Sequence, residues 1–236
     1  MPRLSRLIVV FALVFLVLII GLPFLSSQFF PYPLMKNQDA VDLFTPLILI
    51  PVYWLLFQVH PEAKSGPRET LAFMVLAALW VEGQGIHLAA NSIGHLTEAF
   101  TGSDAAALTY FYDEVLSHWM WHAGIIGLSL LLIFRQWRNP FAGMRSTLRA
   151  EIGAGLLHGL SFGLMTLEGA TVALGLPSAA LVVIFVLARG RTQLREQPIL
   201  AFFFVAYLTA LILFVGWRVY WGCFIEPFDM LQGRGC

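Results

Sequence analysis

Residues 82–95 read EGQGIHLAANSIGH, and residues 112–122 read YDEVLSHWMWH. Four of the six histidines lie in these two stretches, together with the adjacent carboxylates Asp113 and Glu114. Both stretches sit in long apolar runs. Ionisable groups are costly in hydrocarbon, so their presence in a membrane segment points to function.

Outward from these stretches the chain stays apolar. Of 236 residues, 58% are hydrophobic and only 12% charged; a soluble domain carries about 25% charged residues. Mean hydropathy is +0.77. Several runs reach about 18 residues, enough to cross a hydrocarbon core as a helix. The pattern predicts an all-α polytopic membrane protein, a bundle of about seven transmembrane helices forming a single transmembrane domain over residues 1–236. The alternating strands of a β-barrel are not seen. A formal net charge of zero gives no footprint for nucleic acid.

The expected segments cover residues 7–25, 41–59, 70–95, 108–134, 150–174, 177–188 and 198–221. The first resembles a signal peptide but is long for one, and is read as a retained helix. Pro46 and Pro51 are expected to kink the second. Lys and Arg cluster at the N-terminus, at Lys64 and Arg68, over residues 135–149 and over 189–195. Cytoplasmic loops are Lys/Arg-rich, so the N-terminus is expected in the cytoplasm and the C-terminus outside. A bacterial-type inner or plasma membrane suits this pattern. Cys223 and Cys236 are either paired outside or two separate thiols.

Orientation converts position into depth. The third segment runs outward, carrying Glu82 near mid-membrane, then His87, Asn91 and His95. The fourth runs inward, so Asp113 and Glu114 come first, then His118 and His122 deeper. The fifth places His158 near the middle, and Ser161 and Glu168 further out. Residues at i and i+4 share a helix face, which gives a row His87/Asn91/His95 facing a row Glu114/His118/His122. The expected metal ligands are His87, His118, His122, His158 and His95. Glu114 and Asp113 are the candidate bases, Asp113 alternatively a helix N-cap. Asn91, Glu82, Ser161 and Glu168 are candidates for substrate contact or for supporting the ligands. His60, before Pro61, reads as a cap or interface residue, and Trp119, Trp121, Tyr110 and Tyr112 as an interfacial aromatic belt.

Imidazole and carboxylate suit zinc first, with iron or copper as alternatives. The ligand style resembles seven-helix hydrolases of the alkaline ceramidase and adiponectin-receptor type. That resemblance casts His87, Asp113 and the pair His118/His122 as zinc-site residues, although the pair lies here on the fourth segment and the seventh has no histidine. It implies a zinc hydrolase; loop charge puts the site towards the extracytoplasmic side, which suits a membrane lipid or lipid-like substrate. Two other classes remain. One is an iron or copper oxygenase or desaturase, for which clustered HxxHH boxes are missing. The other is a non-enzymatic metal- or proton-handling subunit of a membrane complex. A bis-histidine haem and a homo-oligomer are further possibilities.

Overall fold

A computed structural model describes residues 2–60, 64–97, 102–141, 146, 148–190, 194–233 and 235. Among these the chain is helical, and its only strand-like feature is one bridge between Gln28 and Lys36. Seven helices are, by length and composition, long and apolar enough to cross a membrane, the pattern of an integral membrane protein. They are α1 (Pro2–Ile20), the pair α2 (Asn37–Asp42) and α3 (Thr45–Phe57), α4 (Pro67–Thr97), the rod of α5 (Asp104–Tyr110) and α6 (His118–Arg138), α7 (Arg149–Glu168), α8 (Val172–Phe185) and α9 (Pro198–Trp221). A short α10 (Pro227–Leu231) follows.

Several boundaries differ from the sequence expectation, the first span running over Pro2–Ile20 and not 7–25, and the fourth over Asp104–Arg138 and not 108–134; two breaks bear on the site. The second span is broken before Thr45, whose hydroxyl donates to Asp42 Oδ1 at 3.0 Å across the break. Pro46 lies in the first turn of α3, where its missing N–H costs nothing; Pro51 is inside that helix. The fifth span stops at Glu168, not near Leu174. Gly169, Ala170 and Thr171 form a turn with Ala170 at φ 49°, and α8 begins at Val172 with Pro177 inside it.

Cross-links at each end show the helices alternating in direction. At the N-terminal end, Phe141 N donates to Glu196 O (2.9 Å) and Ser146 N to Arg195 O (2.7 Å). Arg135 reaches from α6 to Phe57 O at 2.9 Å and pairs with Glu69. At the far end, Asn91 and Ser92 donate to Asp39 at 3.2 and 3.3 Å. Phe228 N donates to Glu168 there at 3.0 Å.

The bundle has two packing units. In one, α7 lies between α1 and α9 over an aromatic core that includes Phe11, Phe15, Phe202 and Phe203. In the other, α4 lies against α6. Lipid tails are as apolar as leucine, so such seams are held by close packing more than by burial from water. Gly83 and Gly124 make the α4–α6 seam: a Cβ on Gly83 would stand 2.5 Å from Trp121 N, and one on Gly124 2.8 Å from Trp80 N. Any larger residue forces the backbones apart.

Candidate functional site

The α5–α6 rod is not uniformly α-helical. Ser103 caps its start, its hydroxyl accepting from Ala106 N at 3.2 Å. Phe111–Ser117 then forms a π-helical segment that contains Asp113 and Glu114. In an α-helix, residues five apart point about 140° from each other. A π turn brings i and i+5 towards the same side, and such turns recur at functional sites. Asp113 and His118 therefore both face α4. Asp113 is not the N-cap; that role belongs to Ser103.

Three imidazoles meet on this seam. The ring centroids of His87 and His118 are 4.9 Å apart, and those of His118 and His122 are 5.6 Å apart. Two rings sharing one tetrahedral zinc would have centroids roughly 5 Å apart, given Zn–N bonds of about 2.0–2.1 Å.

The Nδ1 of each ring meets an oxygen. His87 Nδ1 lies 2.8 Å from Asp113 Oδ1, with the ring tilted off the ideal hydrogen-bond line. His118 Nδ1 lies 3.2 Å from Glu114 O; a carbonyl only accepts, so Nδ1 carries the proton. His122 Nδ1 meets the Thr171 hydroxyl. That hydroxyl also reaches Thr166 O at 3.4 Å; donating there, it accepts from His122 Nδ1. For His118 and His122 these partners favour the Nδ1–H tautomer, which leaves Nε2 bare. His122 is wholly buried, and its Nε2 has no hydrogen-bond partner.

The α7–α8 turn closes one side. A Cβ on Gly169 would stand 2.6 Å from His122 Cε1 and 3.2 Å from His118 Cγ, so only glycine lets this turn press on the two rings. Trp121 closes another side, its indole 4.8 to 5.8 Å from all three imidazoles. It is 8% exposed, and its buried Nε1 donor has no acceptor. Trp121 therefore belongs to the site and not to the lipid-facing belt; Trp119, Tyr110 and Tyr112 do face outward. Glu114 sits at the rim, its side chain 38% exposed and Oε2 3.7 Å from His118 Nδ1.

The other expected residues are distributed differently. His158 is not part of the group. It points between α1 and α9 into a box of Phe15 (4.2 Å), Phe11 (5.2 Å), Phe202 (5.2 Å) and Phe203 (5.8 Å), with Nδ1 unpartnered. Ser161 donates to Leu157 O on its own helix, and Glu168 is engaged by α10. Glu82 is on the exposed outer face of α4. Asn91 holds Asp39. The side chain of His95 lies outside the described residues. His60 stacks on Phe141 at the opposite end of the bundle, 4.7 Å between centroids.

Sequence reasoning missed the buried carboxylates beneath α4. Gln84 Nε2 donates to both oxygens of Asp42, at 2.8 and 2.7 Å, and Trp80 Nε1 donates to Gln84 Oε1 at 3.0 Å. Trp80, Gln84, His87 and Asn91 share one helix face, so the polar row is longer than its histidines. The signal was present in Asp39 and Asp42, two acids at the mouth of an apolar run.

Among the described residues, no three His, Cys, Asp or Glu side chains stand as a closed group able to hold a metal ion. His87, His118 and His122 are neighbours, but not a finished cage. No family model, curated protein or solved structure matches the chain.

Proposed function

We propose that the chain is an intramembrane metal-dependent hydrolase, zinc being the ion its imidazoles suit best, acting on a lipid-like substrate from the outer half of the membrane. One observation carries this reading. Three clustered imidazoles each have Nδ1 near an oxygen, in the way the second nitrogen of a metal-binding histidine is commonly oriented. His122 Nε2, buried with no partner, is a group whose burial is costly unless something binds it.

Bound there, zinc would supply an activated water and polarise the scissile group. The residues divide the remaining work. Asp113 and Thr171 hold His87 and His122 in register. Glu114, half-exposed at the rim, is placed to take up and release a proton. Trp121 offers its unpaired N–H to an oxygen of the substrate. His158 has no part in the reaction, because aromatic rings enclose it.

Elemental analysis of the detergent-purified protein tests the reading. About one zinc per chain is expected, lost in His118→Ala and His122→Ala and kept in His60→Ala. Equal metal in all three variants would remove the site. Iron or copper at stoichiometric level would move the chain to the oxidoreductases.

A second reading has its own support. The imidazoles are not a closed group, and α7 carries the buried Glu151, which accepts from Ser5 Oγ at 2.7 Å and leaves Oε2 unpartnered. Glu151 places a carboxylate in the half of the bundle opposite the imidazoles. A metal-free protein that conducts protons when reconstituted in vesicles would establish a proton-handling role instead.

A further inference from the structure

The second site lies at the other end of the molecule. A cavity of about 590 Å³ opens between the start of α4 and the end of α6, lined among others by Lys64, Arg68, Glu69, Arg135 and Arg138. We infer that this cavity holds the anionic phosphate of a membrane lipid headgroup.

Three observations lead there. The first is charge. Four cations face one carboxylate, and that carboxylate, Glu69, is taken by Arg135. The walls therefore carry an excess of positive charge that no described carboxylate lining the cavity balances. The second is construction. Arg135 is buried, its Nε donating to Phe57 O at 2.9 Å and its guanidinium lying 4.7 Å over the Phe57 ring. Arg138 lies 5.5 Å over the Phe134 ring. Arg135 is thus held by packing, while Arg138 is exposed and only its guanidinium leans on a ring.

The third observation is depth. The membrane span of α4 begins at Pro67 and that of α6 ends at Arg138, and both residues are at the cavity. In a membrane crossed by these spans the cavity would stand level with the headgroups, where lipid phosphate is concentrated. Two arginines at a helix C-terminus also offset the helix dipole. That accounts for Arg135 and Arg138, but not for Lys64 and Arg68 on the opposite wall, nor for the space between them. A phosphate is preferred to a carboxylate because the guanidiniums present forked donors from several directions.

Native mass spectrometry of the full chain, stripped of lipid and re-supplied with defined lipids, tests this. Phosphatidylglycerol should stay bound at least tenfold more tightly than phosphatidylcholine, whose phosphate is neutralised by its own cation. The double variant Arg68→Gln/Arg138→Gln should lose roughly 20- to 30-fold, at about fivefold per cation. Arg218→Gln, at the opposite end, should lose nothing. Lys64→Gln provides a milder single change should the double variant fold poorly. Equal retention in wild type and the charge variants would overturn the assignment, as would equal loss in Arg218→Gln. In a parallel titration, inorganic phosphate should compete weakly; saturation by inorganic phosphate with no preference for phosphatidylglycerol would overturn the lipid as its source.

Discussion

His122 and His158 are both buried histidines of the same bundle, and their surroundings are opposite. His122 stands among two other imidazoles, with its Nδ1 on Thr171. His158 is enclosed by four phenylalanine rings, and its Nδ1 has no hydrogen-bond partner among the described residues. Burial alone does not identify a ligand. What separates the two is an oxygen that fixes one ring nitrogen and so prepares the other.

The largest effect that tests this contrast is on metal content. His122→Ala should remove most bound zinc, whereas His158→Ala should leave it at the wild-type level, both read by elemental analysis. Loss in both would erase the distinction. Next comes the support of the rings. Asp113→Asn should weaken zinc binding by about 10- to 100-fold, the usual cost of losing a carboxylate that orients a metal-binding histidine. A competition titration with a chelator measures this, and an unchanged affinity would reduce Asp113 to a bystander.

The seam that brings the rings together should respond more modestly. Gly83→Ala is expected to cost about 1–3 kcal/mol as an overpacked contact. Its control is Gly85→Ala, where a Cβ meets nothing within 4 Å; the shift there should stay within about 0.5 kcal/mol. Denaturation midpoints in detergent would show whether the two glycines differ. The smallest effect is expected at the aromatic box. His158→Leu conserves volume and gives up no hydrogen bond, so stability should change by less than about 1.5 kcal/mol. A collapse of the fold would mean that His158 has a partner of its own.

The spans themselves were legible because hydropathy and loop charge are local signals; 198–221 needed no adjustment at either end. The pairing of His87 with the His118/His122 row was also legible, from four-residue spacing on two neighbouring antiparallel segments. The assignment of His158 was not, because spacing tells which face a residue occupies but not which helix lies opposite. Its face turns to α1 and α9, a matter of tertiary arrangement. The early end of α7 had a readable clue in Gly169, a residue common just past a helix end, but the apolar run beyond it hid the break. Thr171 and Trp121 were missed for a related reason: each gains its role only after the α7–α8 turn and the α4–α6 seam have formed.

The π-helical segment Phe111–Ser117 has a consequence for how this chain tolerates change in length. It acts as a phase shift wound into a single rod, holding one more residue than a regular helix of the same rise. Deleting one residue from it would let the rod close into a regular helix with little movement of either flank, and Asp113, then four residues before His118, would stay on the face turned to α4. A one-residue deletion within that segment should therefore be absorbed, whereas one in the regular part of α6 would turn the residues beyond it by about 100°.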